Sequence, residues 1–133
     1  MANLSSLLPP SGAVTPTSAD TLTNKTLSSP TLDGTIVEEI YNISGTSVTL
    51  EPDNGSIQLH TLTGNTTYSD GFSSGQSITL MIDDGTDYTV TWPTIIWVNN
   101  GANAPTLSTS AYTVIVLWKV ASTLYGALAG DGA

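Results

Sequence analysis

The chain of 133 residues contains no cysteine and no arginine, and it has only two lysines and one histidine. Without cysteine the protein forms no disulfide, thiolate metal site or thiolate nucleophile. Eleven acidic residues give a formal net charge of −9. Binding to nucleic acid or to an anionic membrane surface depends on clustered lysine and arginine. We therefore expect no nucleic-acid partner and no membrane partner.

Long hydrophobic runs are also missing, since no apolar stretch approaches the roughly 20 residues that a membrane-spanning helix needs. The N-terminus has no basic region, and Leu7-Leu8 is followed directly by Pro9-Pro10, which is not the pattern of a secretory signal peptide. We expect synthesis in the cytoplasm without export by the usual signal.

Catalytic patterns are scarce. His60 is the only histidine, and no Gly-x-Ser-x-Gly motif is present. The sequence therefore gives no sign of a nucleophilic serine beside His60. Alternation places His60 with Gln58 on what we expect to be an ordinary polar strand face. Asp83, Asp84 and Asp87 cluster without the spacing of an EF-hand calcium loop. We expect no catalytic residue, no metal and no cofactor.

The first 34 residues differ in composition from the rest and form what we call the arm. They contain six serines, six threonines and four prolines, with eleven apolar residues and only three charges. Proline removes backbone donors and disfavours helix. The dipeptide Thr-Leu recurs every five residues, at Thr21, Thr26 and Thr31, a period that fits neither helix nor strict alternation. The arm is therefore either a disordered tail or an extended strap.

We favour the strap, because eleven apolar residues are too many for a solvated linker. In that interpretation the arm leucines fill grooves on a neighbouring protein. The candidate docking residues of the arm are Leu4, Leu7, Leu8, Leu22, Leu27 and Leu32.

Residues 35–133, the body, alternate between apolar and polar side chains in short stretches separated by turn signals. This pattern and the content of valine, isoleucine, threonine and aromatics are typical of strands. Asp84-Gly85 predicts a two-residue hairpin. We predict an all-β fold, a β-sandwich of jelly-roll type with about seven or eight strands. The predicted strands are 35–41, 47–50, 56–62, 76–82, 87–92, 112–120 and 123–129.

The predicted strand 112–120 is apolar on both faces, and such a strand is covered on both. In a small domain the second cover is often another subunit, although the arm or a loop is the alternative. The predicted oligomer interface consists of Tyr112, Val114, Val116, Trp118, Ile115 and Leu117.

Three tryptophans provide candidate binding surfaces. Trp92 and Trp118 fall on apolar strand faces, where core or interface positions are expected. Trp97 lies beside the loop Asn99-Asn100-Gly101 and is the best surface candidate. Together with Tyr68 it forms a possible ligand surface, since exposed aromatic rings anchor ligands and partners.

Two stretches resemble structural proteins of tailed phages. The segment DTLTNKTLSSPTLDGT, residues 20–35, is similar to linkers of tail-fibre and other virion proteins. Residues 78–130 resemble a β-domain of phage structural proteins, with Asp84-Gly85, Trp92-Pro93, Trp97, Gly101, Pro105-Thr106-Leu107, Leu117-Trp118-Lys119 and Tyr125-Gly126 as the matching positions.

A short arm on a single domain is similar to capsid decoration, or cement, proteins. The resemblance implies a homotrimeric, non-enzymatic virion protein on the capsid exterior whose arms lie on the major capsid protein. The alternative is a short head or tail fibre that recognises a host glycan through Trp97, Tyr68 and the asparagine-rich loops.

Overall fold

The computed structural model of the protein describes residues 19, 21–83, 88–98 and 102–132. The chain divides into two compact units, Met1–Thr35 and Ile36–Ala133, next to the division that composition predicts after residue 34. The described residues of the first unit form neither helix nor strand, and all are exposed.

The second unit is built of strands, which confirms the predicted all-β class. Nine strands and one short 3-10 helix, Pro52–Asn54, are found in the described part of this unit. The strands are β1 (Ile40–Asn42), β2 (Ser47–Leu50), β3 (Ile57–Thr61), β4 (Thr66–Asp70), β5 (Ser77–Asp83), β6 (Val90–Thr91), β7 (Ile95–Trp97), β8 (Thr113–Val120) and β9 (Thr123–Asp131).

The strands form two sheets, and the chain alternates between them. The larger sheet has the order β1-β3-β5-β8-β9-β7, and the smaller has the order β2-β4-β6. From β1 to β6, each odd-numbered strand lies in the larger sheet and the next, even-numbered strand lies in the smaller sheet. Within the larger sheet β1 pairs with β3 and β3 with β5, and within the smaller sheet β2 pairs with β4 and β4 with β6. All four pairs are parallel. The chain therefore winds as a three-coil solenoid.

The jelly-roll connectivity that the turn pattern predicts is wrong. A jelly roll is built from antiparallel neighbours, whereas antiparallel pairing among the described strands is limited to β5 with β8 and β8 with β9. The β8–β9 hairpin lies between β5 and β7 in the larger sheet. It interrupts the solenoid after the third coil.

The predicted Asp84-Gly85 hairpin is also wrong, because its two flanking strands belong to different sheets. Both edges of β5 are occupied, by β3 and by β8, while β6 pairs with β4. Asp84 and Gly85 themselves lie outside the described residues. The chain therefore passes from the larger sheet to the smaller sheet between β5 and β6. Corners and hairpins use the same turn residues, so the dipeptide could not distinguish them.

The core lies between the two sheets. Val48, Leu50 and Tyr68 of the smaller sheet belong to one buried cluster with Leu80 and Leu117 of the larger sheet. Full burial of a leucine or isoleucine contributes about 1.5–3 kcal/mol, so this interface between sheets is the main source of stability.

An ion pair joins the two sheets at one end. Lys119 Nζ of β8 lies 2.7 Å from Asp70 Oδ2 at the end of β4 and donates a hydrogen bond of 3.0 Å to the Phe72 carbonyl. Both charged side chains are largely shielded from solvent. The ammonium group of Lys119, which lies on the inward face of β8, is thereby paired.

Candidate functional site

The two faces of β8 have different environments. Thr113, Ile115 and Leu117 are fully buried, whereas Val114, Val116 and Trp118 on the opposite face are half-buried. The predicted alternation of this strand is therefore confirmed. The assignment of Ile115 and Leu117 to an oligomer interface is wrong, because both side chains fill the core of their own chain.

Tyr112, the remaining predicted interface residue, precedes β8 and is half-buried. Its carbonyl accepts a hydrogen bond of 2.7 Å from the Gly132 amide. It therefore lies just outside β8, at the end of the strand.

Strand pairing extends this face across the whole larger sheet. Residues paired across neighbouring strands project to the same side. Val114 pairs with Met81, which pairs with Leu59, and Trp118 pairs with Tyr125, which pairs with Ile96. We call the result the outer face. Its central part comprises Ile40, Ile57, Leu59, Thr79, Met81, Val114, Val116, Trp118, Tyr125, Ala127 and Ile96. Register places the polar residues Asn42, Thr61, Ser77 and Thr123 on the same side, at the ends of their strands.

The outer face is mostly apolar, half-buried at its centre and open to solvent at its edges. Ile40 and Ile96 at its two edges are 60% and 51% exposed. The rings of Trp118 and Tyr125 stack on it, with centroids 5.8 Å apart and planes 13° from parallel. Asp83, at the end of β5, is the one acidic or basic residue that register places on this side of the described strands. A partly exposed apolar sheet face of this kind is a candidate interaction surface.

His60 does not lie on a solvent-facing strand side, so that prediction is wrong. His60 and Gln58 are both 1% exposed, and they point into the core. Gln58 Nε2 donates hydrogen bonds to the carbonyls of Glu51 and Gly55 at 2.7 and 3.0 Å. The polar residues of β3 point inward because buried carbonyls of the solenoid corners need donors.

His60 is held between a corner carbonyl and a buried tyrosine. Its Nε2 lies 3.1 Å from the Gly45 carbonyl oxygen and its Nδ1 lies 2.6 Å from Tyr68 Oη. A carbonyl only accepts, so Nε2 carries the proton and Nδ1 accepts from the tyrosine hydroxyl. Burial lowers the pKa of His60 and raises that of Tyr68, so both are neutral at pH 7. The pair is fully satisfied and links β3 to β4.

Trp97 and Tyr68, the predicted ligand surface, are both buried, and this prediction is corrected. Trp97 is 8% exposed and Tyr68 is 2% exposed. Trp92 lies between them, with ring centroids 5.2 Å from Tyr68 and 5.3 Å from Trp97. The three rings form an aromatic row within the core. Register places Trp97 opposite Gly126, where the absence of a side chain makes room for the indole.

A shallow groove of about 400 Å³ borders this aromatic row. Tyr88 and Trp92 line one side, and the loop residues Pro105, Thr106 and Leu107 line the other. Among the described residues, no lysine, arginine or acidic residue lines it. The groove is therefore a place where aromatic rings lie beside hydroxyl groups at the surface.

The arm leucines that the structure describes are exposed: Leu22 by 46%, Leu27 by 54% and Leu32 by 65%. Leu4, Leu7 and Leu8 lie outside the described residues. The backbone of residues 21–35 bends at Asn24, Ser28–Ser29 and Gly34. The docking of the arm on a neighbouring protein stays a prediction.

In the described part of the chain no three acidic or histidine side chains are grouped so as to hold a metal ion. No described helix is long and apolar enough to cross a membrane. No protein-family model matches the chain, and neither a curated protein nor a solved structure is significantly similar to it.

Proposed function

We propose that this chain is a non-enzymatic structural protein of a phage virion that decorates and stabilises the capsid. The body self-associates through its outer face, as a homotrimer, and the arm attaches the assembly to the major capsid protein. The outer face is the observation that carries the proposal, because a mostly apolar sheet face suits contact with another protein surface.

The size of the outer face sets the strength of self-association. Six strands at a spacing of about 4.8 Å, with a rise of about 3.3 Å per residue, cover roughly 550 Å². A stable interface buries about 800 Å² per partner. The outer face alone therefore supports weak association, and a lasting trimer needs a second contact between copies.

The charge distribution supports an exterior location. The body carries nine acidic residues and one lysine, a net charge of −8, while the outer face is almost free of charge. Copies can therefore meet at the outer face while the acidic surface points to solvent. Negative charge keeps an exposed virion protein soluble and away from the packaged genome.

The test has two parts. Protein quantification of purified particles should give hundreds of copies per virion, and a dozen or so copies would instead indicate a fibre. Capsids stripped of the protein should rebind the full chain but not a chain lacking residues 1–34. The truncated protein should keep its circular dichroism spectrum, and full rebinding by it would exclude the attachment role of the arm.

A second function, a short fibre that recognises a host glycan, is favoured by the groove beside Tyr88 and Trp92. Aromatic rings next to threonine hydroxyls suit the apolar face and the hydroxyl groups of a pyranose. Glycan-array binding that Tyr88→Ala abolishes and Tyr112→Ala retains would favour this function. A complete lack of binding to host polysaccharide at millimolar concentration would count against it.

A further inference from the structure

Residues 21–35, which we call the repeat segment, repeat in conformation as well as in sequence. The segment consists of three five-residue units, TLTNK, TLSSP and TLDGT. The fourth residue of each unit has a positive φ: Asn24 at 55°, Ser29 at 48° and Gly34 at 95°. Asparagine and glycine adopt this conformation readily, but serine does not. Since three different residues share it, the turn is a property of the repeat.

The second residue of each unit is an exposed leucine, so the repeat segment carries an apolar side chain at a constant interval. Leu22, Leu27 and Leu32 are each about half exposed or more. The described part of the first unit contains no strand, helix or buried residue against which they pack. Three exposed leucines at equivalent positions of the repeat therefore call for a partner surface.

The partner surface must repeat at the same interval for all three leucines to be buried together. The same segment of another copy has that interval by definition. Charge also permits this pairing. The repeat segment contains one lysine, Lys25, and one acid, Asp33, so it is neutral, whereas the body is strongly acidic. Copies therefore meet with least repulsion along the repeat segment.

We propose that the repeat segments of neighbouring copies pack on one another in register, with Leu22, Leu27 and Leu32 turned inward, to form a short multi-chain stalk. This inference rests on the self-association in the proposed function. It reassigns these three leucines from the capsid to the contact between copies. Attachment to the capsid then belongs to the chain before residue 21.

The contact between outer faces and the contact between repeat segments are each too small to hold the copies together alone. Three partly exposed leucines per copy bury far less than the roughly 800 Å² per partner of a stable interface, and so does the outer face alone. Once the outer faces hold the copies together, the repeat segments are tethered at high effective concentration and their pairing becomes intramolecular. The stalk thus provides the second contact that the outer face lacks.

Inter-chain distances in the full-length protein test the stalk, and the absence of native cysteine makes single spin labels straightforward. Labels would be placed in separate variants at the third position of each unit, Thr23→Cys, Ser28→Cys and Asp33→Cys. We expect narrow distributions of the distance between labels on neighbouring copies, with similar means below roughly 30 Å. Packed chains lie on the order of 10 Å apart, and the length of the two label side chains adds to this distance. Asn54→Cys, on the exposed 3-10 helix of the body, serves as the control.

The variant with Leu22→Ser, Leu27→Ser and Leu32→Ser should broaden the distances at residues 23, 28 and 33. It should leave a narrow distance at residue 54, provided that the protein concentration is high enough to keep the outer faces associated. The matched control, with Thr21→Ser, Thr26→Ser and Thr31→Ser, keeps the leucines and should retain the narrow distances.

Two outcomes would overturn the inference in distinguishable ways. Broad distances at residues 23, 28 and 33, in a protein whose residue 54 shows a defined inter-chain distance, refute the stalk and leave the proposed self-association intact. Monomers by light scattering at every concentration refute both. Binding to stripped capsids is measured separately and does not depend on either result.

Discussion

Replacing Gly126 with alanine is expected to destabilise the body by about 2 kcal/mol. A Cβ atom at this position would lie 2.7 Å from Trp97 Cζ3 and 2.9 Å from Leu117 Cδ2. Both neighbours are buried, and register fixes Gly126 opposite each of them. Neither the ring of Trp97 nor the branched side chain of Leu117 can move away from the added Cβ without disturbing the aromatic row.

The magnitude follows from two opposing effects. Overpacking a dense core costs typically about 1–3 kcal/mol, and these contacts are shorter than real Cβ atoms show, which places the cost near 3 kcal/mol. Alanine restricts the unfolded chain more than glycine and returns about 0.5–1 kcal/mol. The net loss is thus about 2 kcal/mol. For an m-value of about 1–1.5 kcal/mol/M in urea, the midpoint should fall by about 1.5–2 M.

Urea unfolding followed by tryptophan fluorescence measures this change, because Trp92 and Trp97 report on the affected region. Gly132→Ala is the matched control, since its Cβ would make only ordinary contacts of 3.6 Å or more at a position without positive φ. In the Trp97→Phe background, which removes the clashing ring atoms, Gly126→Ala should cost at least about 1 kcal/mol less. Unchanged stability of Gly126→Ala would falsify the packing of Trp97 on this glycine.

Three further predictions concern other parts of the molecule. Met81→Lys, which puts a charge at the centre of the outer face, should produce monomers by light scattering at concentrations where Ser47→Lys, on the smaller sheet, stays oligomeric. Folding lowers the pKa of His60, so the stability that the neutral imidazole contributes is complete above the unfolded pKa of 6.5 and is lost as pH falls below that value. The urea midpoint of the wild type should therefore fall below pH 6.5, and that of His60→Gln should fall much less. Lys119→Met should cost about 1 kcal/mol in the same assay by removing the ion pair to Asp70, and an unchanged midpoint would show that the pair adds nothing.

Most strands could be predicted from alternation, and Ser47–Leu50 coincides with its prediction. The strands that were missed are β4 and β7. β4 reads TTYSD, and its buried positions are Thr66 and Tyr68, so it lacks the aliphatic residues by which strands are recognised. β7 is three residues long and follows Pro93 closely.

The candidate site was only partly visible in the sequence. The outward residues of β8 were found because this strand is apolar on both faces. Ile57, Leu59, Met81 and Tyr125 could not be assigned to the same surface, because their alignment depends on register between strands that are distant in sequence. Trp97 was misplaced since its position beside a polar loop says nothing about the glycine that faces it from β9.

The sequence by itself determined the local properties of this protein: its all-β class, most strand positions, its acidic surface, and a repeat of fixed length near the N-terminus. These depend on composition and on periodicities shorter than ten residues. Only the tertiary structure decided that the strands wind in parallel coils, that Gln58 and His60 face inward, and that one apolar surface spans six strands. The physical reason is that strand pairing is a non-local contact. The hydrogen bonds and burial that choose between a hairpin and a corner involve residues of another coil, and no local pattern records them.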